Sequence, residues 1–174
     1  IGILSSFFSL AQREMPFCSS SIAINKEYSI REGGFPFGVS RGGDKMIWIR
    51  MAIKYPIAYS PSSQAIYHTE AINRACNIHF YDGEKPYCTM IDEMLNKDEI
   101  PASLIDDVKD YYAFEQIVKA KELIKAGRSK KARVLLLKVK NNKKYQIERN
   151  KYYFLSLLPG TLVKSLLSFK DLIN

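Results

Sequence analysis

The apolar positions change period along the chain, and that change predicts its elements. Ile1–Arg13 reads as a short helix with apolar residues on one side, stopped by Pro16. Ser20–Asn25 reads as a strand, Lys26–Arg31 as a short helix, and Gly33-Gly34 as its end, where a positive φ is cheap. Phe35–Arg41 is a loop. A helix over 44–54 follows, closed by Pro56 because the residue before proline avoids the helical region. Ile57–Ser60 and Gln64–His68 read as two strands joined by Ser60-Pro61-Ser62-Ser63. Beyond residue 80 the spacing becomes helical over Lys85–Leu95, Pro101–Ile124, Ser129–Val139, Glu148–Leu158 and Thr161–Leu172, with breaks at Gly127 and Pro159-Gly160. This pattern predicts an α/β part over residues 1–80 and a helical extension over 81–174.

The helix that opens near Asp44 is unusual in composition. On a 100° wheel Asp44, Ile47, Trp48, Met51 and Tyr55 share one side, and Met46, Ile49 and Ile53 take the other. Besides Asp44 only Lys45, Arg50 and Lys54 are left polar, so the helix is expected to be sandwiched inside the protein. Its N-terminus carries unpaired N–H groups and partial positive charge, which favours a carboxylate there. Asp44 can serve simply as a cap, and a cap can leave one oxygen free to accept a proton.

Charge changes the picture for the second part. Of 174 residues 47% are hydrophobic, and the net charge is +8. Residues 1–120 hold 12 Lys/Arg against 15 Asp/Glu, whereas 121–174 hold 14 against 3. The basic character therefore belongs to the C-terminal part and points to an anionic surface. In Thr161–Leu172, Leu162, Leu166 and Phe169 share a side flanked by Lys164 and Lys170, the composition of a helix lying on an anionic membrane. The plainer reading is a solvated basic face over a helical core. Nucleic-acid binding is disfavoured, because no reading motif is recognisable and residues 1–120 are acidic.

Three cysteines, Cys18, Cys76 and Cys88, show no paired or metal-type spacing, which favours a reducing compartment. No stretch reaches the roughly 18–20 apolar residues of a spanning helix. Two histidines without a thiolate pair make a zinc site a poor expectation. There is no Walker-type glycine loop and no second acid beside Asp44 for a hydrolase pair.

The run Gly42-Gly43-Asp44 with Trp48-Ile49-Arg50, preceded by Ser19-Ser20-Ser21 and Gly33-Gly34-Phe35 and followed by Ala65-Ile66-Tyr67-His68, resembles the acceptor-side half of family-2 glycosyltransferases of the GT-A type. Gly43 stands where that family usually has Glu, and Met46 where a second acid is common. The resemblance covers about residues 1–80 well and the helical tail loosely. It implies the C-terminal part of a GT-A-type nucleotide-diphospho-sugar transferase fold, lacking the nucleotide-binding half.

It further implies transfer of a sugar, with inversion, to a hydroxyl of a saccharide or lipid-linked acceptor. Asp44 would be the general base, and Ser20, Trp48, Arg50, His68 and Arg74 substrate contacts. A divalent cation, Mg or Mn, would be held mainly by the missing half, since no Asp-x-Asp occurs here. The isolated chain is expected to be inactive, and the intact enzyme cytoplasmic and peripheral at the inner face of the membrane. The alternative is a non-catalytic module that binds a protein partner or an anionic membrane.

Overall fold

A computed structural model describes residues 1–62, 65, 66, 68, 70, 81–160, 162 and 163. The chain divides into two compact units, Ile1–Asp107 and Val108–Asn174. The elements run β1 (Gly2–Ile3), α1 (Phe7–Ala11), α2 (Lys26–Arg31), α3 (Gly43–Lys54), β2 (Ala58–Tyr59), α4 (Pro86–Asn96), α5 (Ile105–Lys125), α6 (Ser129–Lys138) and α7 (Gln146–Leu155).

The expected α/β fold of GT-A type is overturned. Among the described residues the molecule is mostly helical, and β1 and β2 form its one sheet, an antiparallel pair with Gly2 opposite Tyr59 and Ile3 opposite Ala58. Two segments account for the difference. In the turn before the expected strand at Ser20–Asn25, the Ser21 N–H donates to the Cys18 carbonyl, and the Ser21 hydroxyl both accepts from the Cys18 N–H at 3.0 Å and donates to that carbonyl. Serine hydroxyls that bond their own backbone in this way compete with a strand ladder. Asn25, at the far end, is committed to capping α2 through the N–H groups of Glu27 and Tyr28. At the N-terminus, Ser6 accepts from the Ser9 N–H and starts α1 there, which releases Gly2–Ile3 to pair with β2.

Of the expected strand Gln64–His68, residues 65, 66 and 68 carry no regular structure, and 64 and 67 lie outside the described residues. Helix Thr161–Leu172 lies outside them too, apart from 162 and 163. The remaining helices follow the apolar spacing closely.

Helix α3 is the centre of the first unit. Ile47 and Ile49 are fully buried and Trp48 and Ile53 nearly so, which places apolar side chains against protein on both sides of the helix. Each such burial contributes about 1.5–3 kcal/mol. Helix α4 packs on α3 through the buried set Tyr87, Cys88, Ile91 and Met94, so it belongs to the first unit.

Two glycines end helices by the same device. After α2, Gly33 has φ +82°, its N–H bonds the Ile30 carbonyl, and the Gly34 N–H reaches the Ser29 carbonyl. After α5, Gly127 has φ +74°, and the N–H groups of Gly127 and Arg128 reach Ile124 and Leu123. Both satisfy carbonyls that the helix end leaves open.

Candidate functional site

Asp44 is the second residue of α3. The cap position is Gly42, at φ +75° and without a side-chain bond to the helix, so Asp44 contributes from inside the first turn. The carboxylate is half-buried and held at both oxygens. Oδ1 accepts from the Lys45 N–H at 2.8 Å, and Oδ2 accepts from the Ser19 hydroxyl at 3.3 Å. The exposed neighbour Ser20 makes no such bond to it.

Gly42 and Gly43 shape this corner differently. A Cβ on Gly42 would lie 2.9 Å from the Tyr87 ring, and one on Gly43 would lie 3.3 Å from Pro36 Cγ. A glutamate in place of Gly43 would therefore have to push against Pro36. Lys45 extends from the same turn to the Tyr87 hydroxyl at 3.4 Å and stands over the ring.

Trp48 and Arg50 lie two positions apart on α3 and open onto different cavities. Trp48 is only 4% exposed and meets Phe17 edge-on at 5.2 Å. It contributes one wall of a groove of about 1130 Å³, whose other walls include Cys18, Ser21, Tyr28, Tyr55 and Tyr59. Tyr28 and Tyr55 stack there with centroids 4.6 Å apart. Ser19, which bonds Asp44, belongs to the same turn as Cys18 and Ser21 of this wall. The Ser21 hydroxyl next to Cys18, helped by backbone N–H groups, lowers the thiol's pKa from its ordinary value.

Arg50 borders a second cleft, of about 790 Å³, together with Glu32, Lys54, Thr89 and Glu93. Its Nη2 donates to the Gly34 carbonyl at 2.6 Å, which fastens the turn after α2 onto α3. That bond gives Arg50 a structural task and separates it from Trp48 and Asp44.

Glu32 completes the fastening. It is buried, accepts from the Tyr55 hydroxyl at 3.1 Å, and pairs with Lys54 at 2.7 Å. Burial pushes its carboxyl pKa up, but the bonds from Lys54 and Tyr55 and the charges of Lys54 and Arg50 outweigh that and hold it below the ordinary carboxylate value.

His68 is exposed, and Arg74 lies outside the described residues. Of the six residues expected at the site, α3 places Asp44 and Trp48 one helical turn apart; Ser20 is exposed in the neighbouring turn without a bond to Asp44, and Arg50 faces a different cleft. Sequence reasoning missed Ser19 as the bonded partner of Asp44, and it missed Glu32. No local spacing signalled the latter, because its side-chain partners Lys54 and Tyr55 lie on and just after α3, far along the chain from the end of α2. Among the described residues no group of three or more His, Cys, Asp or Glu side chains could hold a metal ion. No helix there is long and apolar enough to cross a membrane.

The chain matches no family model, no curated protein and no solved structure.

Proposed function

We propose that this chain carries the acceptor-activating carboxylate of a glycosyltransferase similar to family 2. Asp44 takes the proton of an acceptor hydroxyl as that oxygen attacks the anomeric carbon of a nucleotide-diphospho-sugar in line, with inversion, while the anomeric C–O bond to the diphosphate breaks and the nucleoside diphosphate leaves with its electron pair. The anchoring of Asp44 carries the reading. The carboxylate is fixed through one helix-turn N–H and one serine hydroxyl, yet remains half-exposed, one helical turn along α3 from Trp48, which walls a groove together with tyrosines.

A carboxylate is a weak base for an alcohol. It is effective only when proton transfer accompanies bond formation and both partners are held in place. Two hydrogen bonds at the start of a buried helix supply that fixed position. The aromatic wall offers flat apolar faces against which a saccharide acceptor can rest. Among the described residues no group of three or more His, Cys, Asp or Glu side chains could hold the divalent cation that such chemistry uses on the diphosphate, and no step is assigned to a metal here. The resemblance to family 2 would put the reaction in the cytoplasm, at the inner face of the membrane.

The test is transfer from nucleotide-diphospho-sugars to saccharide acceptors by the natural-length protein in the presence of Mg or Mn. Asp44→Asn should lower the transfer rate by about 100-fold or more while leaving donor affinity unchanged, since general-base assistance contributes roughly that much. Transfer that survives Asp44→Asn, or a protein that consumes no nucleotide sugar at all, overturns the proposal.

A further inference from the structure

The second unit presents a surface that the proposed chemistry does not use. Helices α6 and α7 pack on each other. The packing is fastened by Arg133, whose Nη1 donates to the Ser156 carbonyl at 2.7 Å, and by Arg149, whose Nε donates to the Leu136 carbonyl at 3.1 Å. Helix α6 buries Ala132, Leu135 and Leu136, and α7 buries Tyr152. At 100° per residue, Lys130, Val134 and Leu137 fall opposite the buried stripe of α6, and Ile147, Lys151 and Phe154 fall opposite that of α7.

Both outer faces thus mix lysine with large apolar side chains in solvent. Ile147 is 87% exposed and Leu137 46%. Leu137 lies at the end of α6 and Ile147 at the start of α7, so both sit at the tip of the hairpin. The connection between them carries Lys140, Lys143 and Lys144, and Lys138 immediately precedes it. Lys144 is shared with Asp110 at 3.3 Å; Lys140 and Lys143 are exposed.

We propose that this tip docks on an anionic lipid surface, with Leu137 and Ile147 entering the boundary of headgroups and acyl chains and Lys138, Lys140 and Lys143 among the phosphates. Charge argues for the partner. The unit holds 16 Lys/Arg against 5 Asp/Glu, a net charge of +11. Lysines near an anionic leaflet are attracted within a Debye length, and aliphatic side chains between them gain by leaving water. A phosphodiester backbone would satisfy the lysines and leave Leu137 and Ile147 in water. A lipid surface satisfies both.

The experiment is flotation of the full chain with phosphatidylcholine vesicles prepared with and without phosphatidylserine. The chain should float with the anionic vesicles only, and less as salt rises. Lys140→Glu with Lys143→Glu should cut partitioning by about tenfold or more. Leu137→Ser with Ile147→Ser should cut it also, without changing the salt dependence. All four side chains are exposed, so both variants should melt as the parent does; should the glutamate pair melt low, Lys140→Ala with Lys143→Ala is read in its place. The proposal is overturned by absence of flotation, by flotation that both variants retain, or by a DNA duplex that binds the chain and displaces it from the vesicles.

Discussion

Glu32 is a side chain whose ionisation is tied directly to the fold. Its folded-state pKa is lowered below that of an exposed glutamate. A carboxyl lowered on folding contributes stability that is present above its unfolded pKa, about 4.3, and is lost as pH falls through the folded value. The first unit should therefore lose thermal stability progressively below about pH 4. Protonated Glu32 could no longer pair with Lys54, and the Tyr55 hydroxyl would lose a charged acceptor. Glu32→Gln should be less stable than the parent at neutral pH and show a flatter decline through the acid range. Thermal melts of the two proteins from neutral pH down to pH 3 check this. Parallel acid limbs would mean that Glu32 does not govern the decline.

At the scale of elements, the helices α3 to α7 were legible from their apolar spacing, and Gly33, Pro56 and Gly127 mark stops just after α2, α3 and α5 that the chain observes. Of the strands, Ile57–Ser60 was legible and holds β2, whereas Ser20–Asn25 forms none, and the reason lies in side chains that bond locally. Ser21 turns back on Cys18 and Asn25 caps α2, so Ile22–Ile24 between them pair with no strand; they border the groove instead. In the same way Asp44 was legible as an acid at the head of α3, but its serine partner depended on a turn that alternation alone does not reveal.

The glycine cap of α3 makes this testable. Gly42→Ala meets two obstacles: a left-handed φ of +75°, and a Tyr87 ring carbon 2.9 Å from the new Cβ. The backbone term alone costs about 1–3 kcal/mol, and the ring must shift as well. For a domain near 100 residues, a loss of that size lowers Tm by roughly 4 °C or more. A melt within a degree of the parent would show that the α3 corner relaxes freely.

At the scale of the whole chain, the two units carry opposite charge, −3 for Ile1–Asp107 and +11 for Val108–Asn174. At about 10 mM salt the Debye length is roughly 30 Å, twice the length of a ten-residue helix, so the lysines of α6 and α7 repel one another across the unit. Near 0.15 M it falls to about 8 Å, and only close pairs still interact. Two close pairs among the described residues of this unit are attractive, Lys119 with Glu122 at 3.0 Å and Lys144 with Asp110 at 3.3 Å, and these outlast the repulsion that screening removes. Sodium chloride should accordingly stabilise the second unit while changing the first little, since there the net charge is small and the pair of Glu32 with Lys54 has a buried carboxylate. Amide hydrogen exchange separates the two in one experiment. Protection in α6 and α7 should rise between 10 mM and 150 mM salt, on the order of a severalfold slowing, with α3 and α4 nearly constant. Protection that fell with salt in α6 and α7 would mean that attraction between neighbouring charges, rather than their shared sign, sets the stability of the basic unit.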